Sequence, residues 1–293
     1  MDQFRGTGVA LVTPFKEDLS IDFESLERLV NYQIENGIEY LVVMGTTGES
    51  TSLTKEEKVA VTTKVIEINN SKLPIVLGIG GNNTRAVVDE IQNTDLSAID
   101  AILSVSPYYN KPTQEGIYQH YRALAMATSK PIIMYNVPGR TSKNMSPETV
   151  LRLCSDFENI IAVKEAGNSV HQYLELLKDK PKDFMVISGD DDLALGVSLA
   201  GGSGVISVLG QGLPKEFSQM IRLGLDGNAK KSYHIYFELM EMVQYIFEEN
   251  NPAGIKALLK KVGICDTYTR LPVVEATSNL QEKINTFIDQ YKS

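Results

Sequence analysis

Ile160-Ile161-Ala162-Val163-Lys164-Glu165-Ala166-Gly167 is a short apolar run that ends in two charges and two small residues. Unbroken branched and small apolar side chains predict a strand buried on both faces, as in a parallel sheet covered by helices. Lys164 is the anomaly in it. A buried ammonium must find a partner, reach water or give up its proton. The neutral amine is a nucleophile that attacks a carbonyl carbon to form a Schiff base. The plainer reading is a lysine at the exposed end of the strand, snorkelling to solvent or paired with Glu165. The octapeptide leaves both readings open.

Working outward, seven further runs of the same kind flank it, at 8–13, 40–45, 75–80, 101–106, 132–136, 185–188 and 204–208. Each is followed by a polar or glycine-containing turn and then a helical pattern, which is the repeat of a βα unit. Leu26, Leu29, Val30 and Ile34 mark one amphipathic helix, stopped by Asn36-Gly37, and Val61, Val65 and Ile68 mark the next. Thr54 with Glu57 spells a capping box, and Ser146-Pro147 supplies a cap with a first-turn proline. Beyond the eighth run, Leu213-Pro214 opens another helix, and the tail reads as helices broken at Pro252. The fold class expected is therefore α/β: a (β/α)8 TIM barrel over residues 1–226 with a C-terminal helical extension over 227–293.

A chain of 293 residues accommodates one such core, and its ordinary proportion of hydrophobic and charged residues suggests neither disorder nor a membrane protein. The formal charge of −9, with scattered basic residues, speaks against nucleic acid as a partner, although a local pocket can still hold a small anion. Cys154 and Cys265 form no CxxC, and His120, His171 and His234 form no HExxH, so neither a zinc site nor a disulfide framework is expected. There is no basic, apolar leader and no apolar window long enough to span a bilayer. A cytoplasmic protein without metal or cofactor is the expectation.

In a barrel of this kind the active site lies at the carboxyl ends of the strands. The unusual residues fall there: Gly45-Thr46-Thr47-Gly48-Glu49-Ser50, Pro107-Tyr108-Tyr109-Asn110, Tyr135-Asn136-Val137-Pro138-Gly139-Arg140, Lys164, and Gly189-Asp190-Asp191. Each has a bland use. The Thr46-Thr47 turn is an anion-holding loop or a plain connection. Tyr135 is a proton carrier or core packing. Arg140 is a bidentate carboxylate clamp or a solvated loop residue. Taken singly each favours the bland use; gathered around a lysine they do not. Asp190, Asp191 and Asp192 are expected to cap the following helix rather than bind a metal, because three adjacent side chains diverge. Gly78-Ile79-Gly80-Gly81 lacks the third glycine of a dinucleotide site. Gly210-Gln211-Gly212 has only Lys215 to support a phosphate.

GTTGES at 45–50, PYYNKPTQEG at 107–116, YNVPGRT at 135–141, VKEA at 163–166, SGDD at 188–191 and GVISV at 204–208 together resemble the dihydrodipicolinate synthases, from about Phe4 to about Pro272. These belong to the pyruvate-dependent class I aldolase superfamily. The resemblance implies condensation of pyruvate with L-aspartate 4-semialdehyde, on the route to diaminopimelate and lysine. It makes Lys164 the Schiff-base residue, Tyr135 the proton donor and acceptor, and Thr46 and Tyr109 the proton relay. Thr47, Gly189 and Ile206 match the binders of pyruvate, and Arg140 the binder of the second carboxylate. It also implies a homotetramer built as a dimer of dimers, in which Tyr109 reaches a neighbouring subunit's site. The rivals are N-acetylneuraminate lyase and keto-deoxy-sugar-acid aldolases, against which Arg140 argues, or an inactive pyruvate-binding barrel. In relatives inhibited by lysine, Ser50, Asn82 and Tyr108 match the inhibitor cleft. Ala86 stands at its acidic position, and Lys55 and Lys58 stand where histidines are common, so weak or absent feedback is expected. Glu90, one turn beyond Ala86, is the residue able to restore the site.

Overall fold

A computed structural model describes residues 2–291. Eight strands, β1 (Gly6–Ala10), β2 (Tyr40–Val43), β3 (Ile75–Gly78), β4 (Ala101–Val105), β5 (Ile132–Asn136), β6 (Ile160–Glu165), β7 (Met185–Ser188) and β8 (Gly204–Ser207), close into a parallel barrel in sequence order. Around them lie α1 (Phe23–Glu35), α2 (Lys55–Asn69), α3 (Thr84–Asn93), α4 (Gln114–Ala127), the short α5 (Pro138–Thr141), α6 (Pro147–Asp156), α7 (Val170–Asp179), α8 (Ala194–Leu199) and α9 (Pro214–Leu225). The chain then continues as α10 (Ala229–Glu248), α11 (Ala253–Lys261) and α12 (Ser278–Tyr291). This is the (β/α)8 barrel with C-terminal helices that the periodicity predicts.

The apolar runs become strands because both of their faces are dry. One set of side chains, including Tyr40, Val42, Leu103, Ile133 and Ile187, fills the barrel, and the alternating set, including Leu41, Val43, Ile102, Met134 and Val186, packs against the helices. Burying each such side chain contributes about 1.5–3 kcal/mol, which is why the alternation holds. The strand ends drift slightly from the sequence reading: β1 starts at Gly6 rather than Gly8, and β6 runs on through Glu165.

Local signals set the helix boundaries. Thr54 and Glu57 form the reciprocal capping box at α2, Ser146 caps α6 ahead of Pro147, and Gly37, at φ 85°, ends the turn after α1. Pro252 stands between α10 and α11, where the helical tail breaks. Among the described residues, no helix is long and apolar enough to cross a membrane.

Candidate active site

A cavity of about 770 Å³ opens at the carboxyl ends of the strands, and Thr46, Thr47, Tyr135, Arg140, Lys164 and Gly189 all line it. Lys164 is on its floor, 6% exposed. What turns this side chain inward is an extra residue in β6. Ile132 pairs with Ile160 but Ile133 pairs with Ala162, so the register slips by one. Ile160 and Val163 consequently face the helices, while Ile161 and Ala162 both face the barrel interior. Alternation counted from Ile160 without that slip would send Lys164 to the helix side. The octapeptide contains the extra residue but nothing in it announces the slip.

Glu165 accordingly points the opposite way. Its carboxylate accepts Asn136 Nδ2 at 3.0 and 2.9 Å and Gln172 Nε2 at 2.9 Å, fully buried between β5, β6 and α7. Burial pushes this carboxyl up to about 7, against the hydrogen bonds from Asn136 and Gln172. Pairing of Lys164 with Glu165, the plainer reading of the octapeptide, is therefore corrected: successive residues of a strand take opposite faces. Among the described residues no carboxylate stands within ion-pair distance of Lys164. Its Nζ sits 4.4 Å from the centre of the Tyr135 ring, on the residue paired with it in β5.

Space for the lysine side chain is created just past the end of β7. A Cβ at Gly189 would come within 2.9 Å of Lys164 Cε and 2.7 Å of Ala166 Cβ, so only glycine leaves the lysine chain its place. The next residues are not helix caps as expected; α8 has Leu193 at its N-cap and no side-chain capping bond. Instead Asp191 is buried and accepts the amides of Val208 and Leu209 at 3.1 and 2.8 Å, fixing the turn after β8. Burial raises its carboxyl to about 6, opposed by those amides and by the charge of Lys164. Among the described residues no group of His, Cys, Asp and Glu side chains is placed to hold a metal ion.

The β2 loop forms a 3₁₀ turn, Thr46–Gly48, between two residues with left-handed backbone, Met44 at φ 60° and Glu49 at φ 51°. A Cβ at Gly78 would lie 2.3 Å from Met44 O, so the neighbouring strand must end in glycine for that backbone to fit. Thr46 is exposed to the cavity and Thr47 is buried, its hydroxyl accepting Asn251 Nδ2 at 2.8 Å. Arg140 projects from α5, which Pro138 opens. The segment behind it is held by Asn136, whose Oδ1 accepts Met145 N at 3.0 Å.

Tyr109, expected to reach a neighbouring subunit's site, is 87% exposed with φ 70° and does not line its own chain's cavity, which Tyr108 does. Ile206 is fully buried in the barrel interior, and Val208 is the cavity's contribution from the end of β8. One wall was invisible to sequence reading: Val243, Phe247 and Asn251, from α10 and the bend after it, face the barrel mouth.

The chain matches the model described as the dihydrodipicolinate synthetase family over residues 3–291. It is 54% identical to the 4-hydroxy-tetrahydrodipicolinate synthase of Flavobacterium psychrophilum over 290 residues, 99% of each chain. Two solved structures superpose closely over 99% of each chain. One is the chloride-inhibited dihydrodipicolinate synthase of Acinetobacter baumannii complexed with pyruvate, 36% identical with a TM-score of 0.95. The other is the enzyme of Cyanidioschyzon merolae with lysine bound, 34% identical with a TM-score of 0.94. Whole-chain identity of this order, on a barrel with a buried lysine at its mouth, has one meaning: the chain belongs to the dihydrodipicolinate synthetase family.

Proposed function

We propose that this chain condenses pyruvate with L-aspartate 4-semialdehyde through a Schiff base on Lys164, the activity of a 4-hydroxy-tetrahydrodipicolinate synthase. The observation that carries the reading is a lysine buried at the floor of the cavity, next to a tyrosine ring and facing the open space, with Asp190 and Asp191 near enough to feel its charge but not paired with it. The amine adds to the ketone carbon of pyruvate and the carbonyl oxygen leaves as water. The resulting iminium draws electrons from the methyl group, which loses a proton and attacks the aldehyde carbon as an enamine. The amino group carried by the aldehyde substrate then attacks the regenerated iminium carbon and displaces the Lys164 amine as the product cyclises. Tyr135, adjacent to Nζ, passes protons during imine formation, with Thr46 and a neighbouring subunit's copy of Tyr109 as the relay. The backbone around Thr47 and Gly189 holds the pyruvate carboxylate, Ile206 supports that pocket from below, and Arg140 takes the carboxylate of the aldehyde substrate.

A homotetramer made of two tight dimers fits the surface. Tyr109 stands almost fully exposed at the rim, and the aromatic cluster Tyr233, Tyr236 and Phe237 on α10, with Val170 and Leu174 on α7, leaves a second apolar face in solvent. The C. merolae relative is described with lysine bound; in this chain Ala86 is exposed, and the cavity's outer arm carries Lys58 beside Ser50, Tyr108 and Glu90. We read that arm as a poor site for a cationic end product.

The decisive experiment is covalent. Pyruvate with borohydride should inactivate the enzyme and leave one reduced pyruvyl adduct, mapped by mass spectrometry to Lys164. An adduct on another lysine, or none, defeats the mechanism.

A further inference from the structure

Thr46 and Thr47 belong to the barrel, but the groups that hold their turn come from the far end of the chain. Glu49 ends that turn, and its amide donates to Thr46 O at 3.1 Å. Its side chain is 2% exposed and meets Lys256 of α11, 0% exposed, with Nζ 2.5 Å from Oε1. The other oxygen accepts the amide of Arg270 at 3.0 Å. Lys256 Nζ also donates to Tyr268 O at 2.8 Å and lies 4.3 Å from the Phe15 ring centre, so the ammonium is enclosed on every side that matters. A second tie runs from Asn251 to the Thr47 hydroxyl.

Stability alone does not account for this arrangement. Two opposite charges buried together roughly break even against well-packed apolar residues of the same volume. The pair does hold Glu49 in a left-handed conformation, which a residue with a Cβ adopts only at a cost. Releasing its side chain would free the backbone that carries the two threonines.

We propose that Glu49 and Lys256 are a positioning pair through which the C-terminal helices set the geometry of the Thr46-Thr47 turn, and hence the pyruvate half of the reaction. The inference rests on the Schiff-base reading above. Arg140 stands on a different loop, after β5. Loss of the pair therefore acts on pyruvate and leaves capture of the aldehyde substrate alone, whereas general loosening of the fold harms both.

The test uses full-length Glu49→Gln and the apolar double variant Glu49→Leu/Lys256→Met, assayed well below their melting temperatures. In both, kcat/KM for pyruvate should fall on the order of tenfold to a hundredfold, the scale expected of a small misplacement in a reacting site. The initial rate of borohydride-trapped adduct on Lys164 should fall with it, while KM for L-aspartate 4-semialdehyde stays within about twofold of wild type. The double variant also loses the bonds to the Arg270 amide and the Tyr268 carbonyl, so folding at the assay temperature is checked by circular dichroism, and a defect in folded protein is not unfolding. A double variant with wild-type pyruvate kinetics overturns the proposal, as does an equal loss for both substrates. If wild-type protein gives no adduct on Lys164, the Schiff-base reading itself has failed, which is a separate result.

Discussion

Among the described residues two lysines are buried, and their surroundings are opposite. Lys164 and Lys256 are 6% and 0% exposed, both within the wall of one barrel and its supporting helices. Lys256 has a carboxylate at 2.5 Å, a carbonyl at 2.8 Å and an aromatic face. Burial lowers its pKa, and Glu49 pulls the other way. Lys164 has a tyrosine ring, a glycine-shaped gap and an open cavity in front of it. Burial alone therefore does not separate the two lysines; what separates them is that one is paired with a carboxylate and the other faces a cavity. On the Schiff-base reading proposed above, the paired lysine is a fastening and the one that faces the cavity is the reagent.

The sharpest break of this contrast is a matched pair of substitutions. Lys164→Met should abolish turnover and borohydride trapping while costing clearly less stability than loss of a directly paired cation, because Asp190 and Asp191 feel the charge of Lys164 without pairing with it. Lys256→Met strands Glu49 as a buried carboxylate without its cation, and denaturant unfolding should show a loss of about 3–5 kcal/mol. Stability losses of equal size in the two variants would erase the distinction.

Glu165 sharpens the contrast from the acidic side, since it is buried against amides and no cation. Its carboxyl rises from 4.5 to about 7 in the fold. A raised folded pKa gives stability that is complete below the unfolded value and is lost as pH climbs through the folded one. The loss therefore falls between about pH 4.5 and 7. Glu165→Gln, which imitates the protonated acid, should flatten that part of the curve by about 3 kcal/mol. Unfolding measured for both proteins across the window gives the difference directly. Subtraction matters because Asp191, raised to about 6, has the same sign, whereas His120, lowered to about 4 by burial, has the opposite one.

Much of this was legible in the sequence because the relevant forces are local. Each strand is an unbroken apolar run flanked by turn residues, and the capping box at Thr54 and Glu57 is complete within four residues. What stayed hidden is long-range or depends on register. Lys256, Asn251 and Arg270 meet Glu49 and Thr47 across 207, 204 and 221 residues, and no periodicity links them. The slip at Ile161, which decides the face taken by Lys164, depends on how β6 pairs with β5 rather than on composition. Asp191 has the sequence position of a cap because it precedes a helix, yet the amides it accepts belong to the turn after β8.

Arg140 extends the comparison from the protein's own charges to those of its substrates. It is exposed on α5 and lines the cavity, a guanidinium available to a ligand where Arg270 is consumed by Glu57 at 2.7 Å. Arg140→Ala should therefore leave the pyruvate adduct on Lys164 intact and reduce kcat/KM for the aldehyde by about 1.5–3 kcal/mol, the worth of a charge-assisted bidentate contact. Steady-state kinetics with each substrate varied in turn checks it. Wild-type turnover of N-acetylmannosamine at an equal rate would instead point to a lyase.

The smallest effect expected is that of free L-lysine, whose ammonium needs what Lys256 possesses and the outer arm of the cavity lacks. Lys58 lines that arm with Ser50 and Tyr108, and Lys55 lies one turn before it on α2. Two cations repel a third, and Ala86 offers no carboxylate, a lack that typically costs about 1.5–3 kcal/mol at a charged hydrogen bond. Glu90 is the acid within the same arm, exposed and one helical turn beyond Ala86 on α3. Turnover should accordingly change little when millimolar L-lysine is titrated in. Strong inhibition below a millimolar would mean that Glu90 supplies the missing partner, and its disappearance in Glu90→Ala would locate the site there.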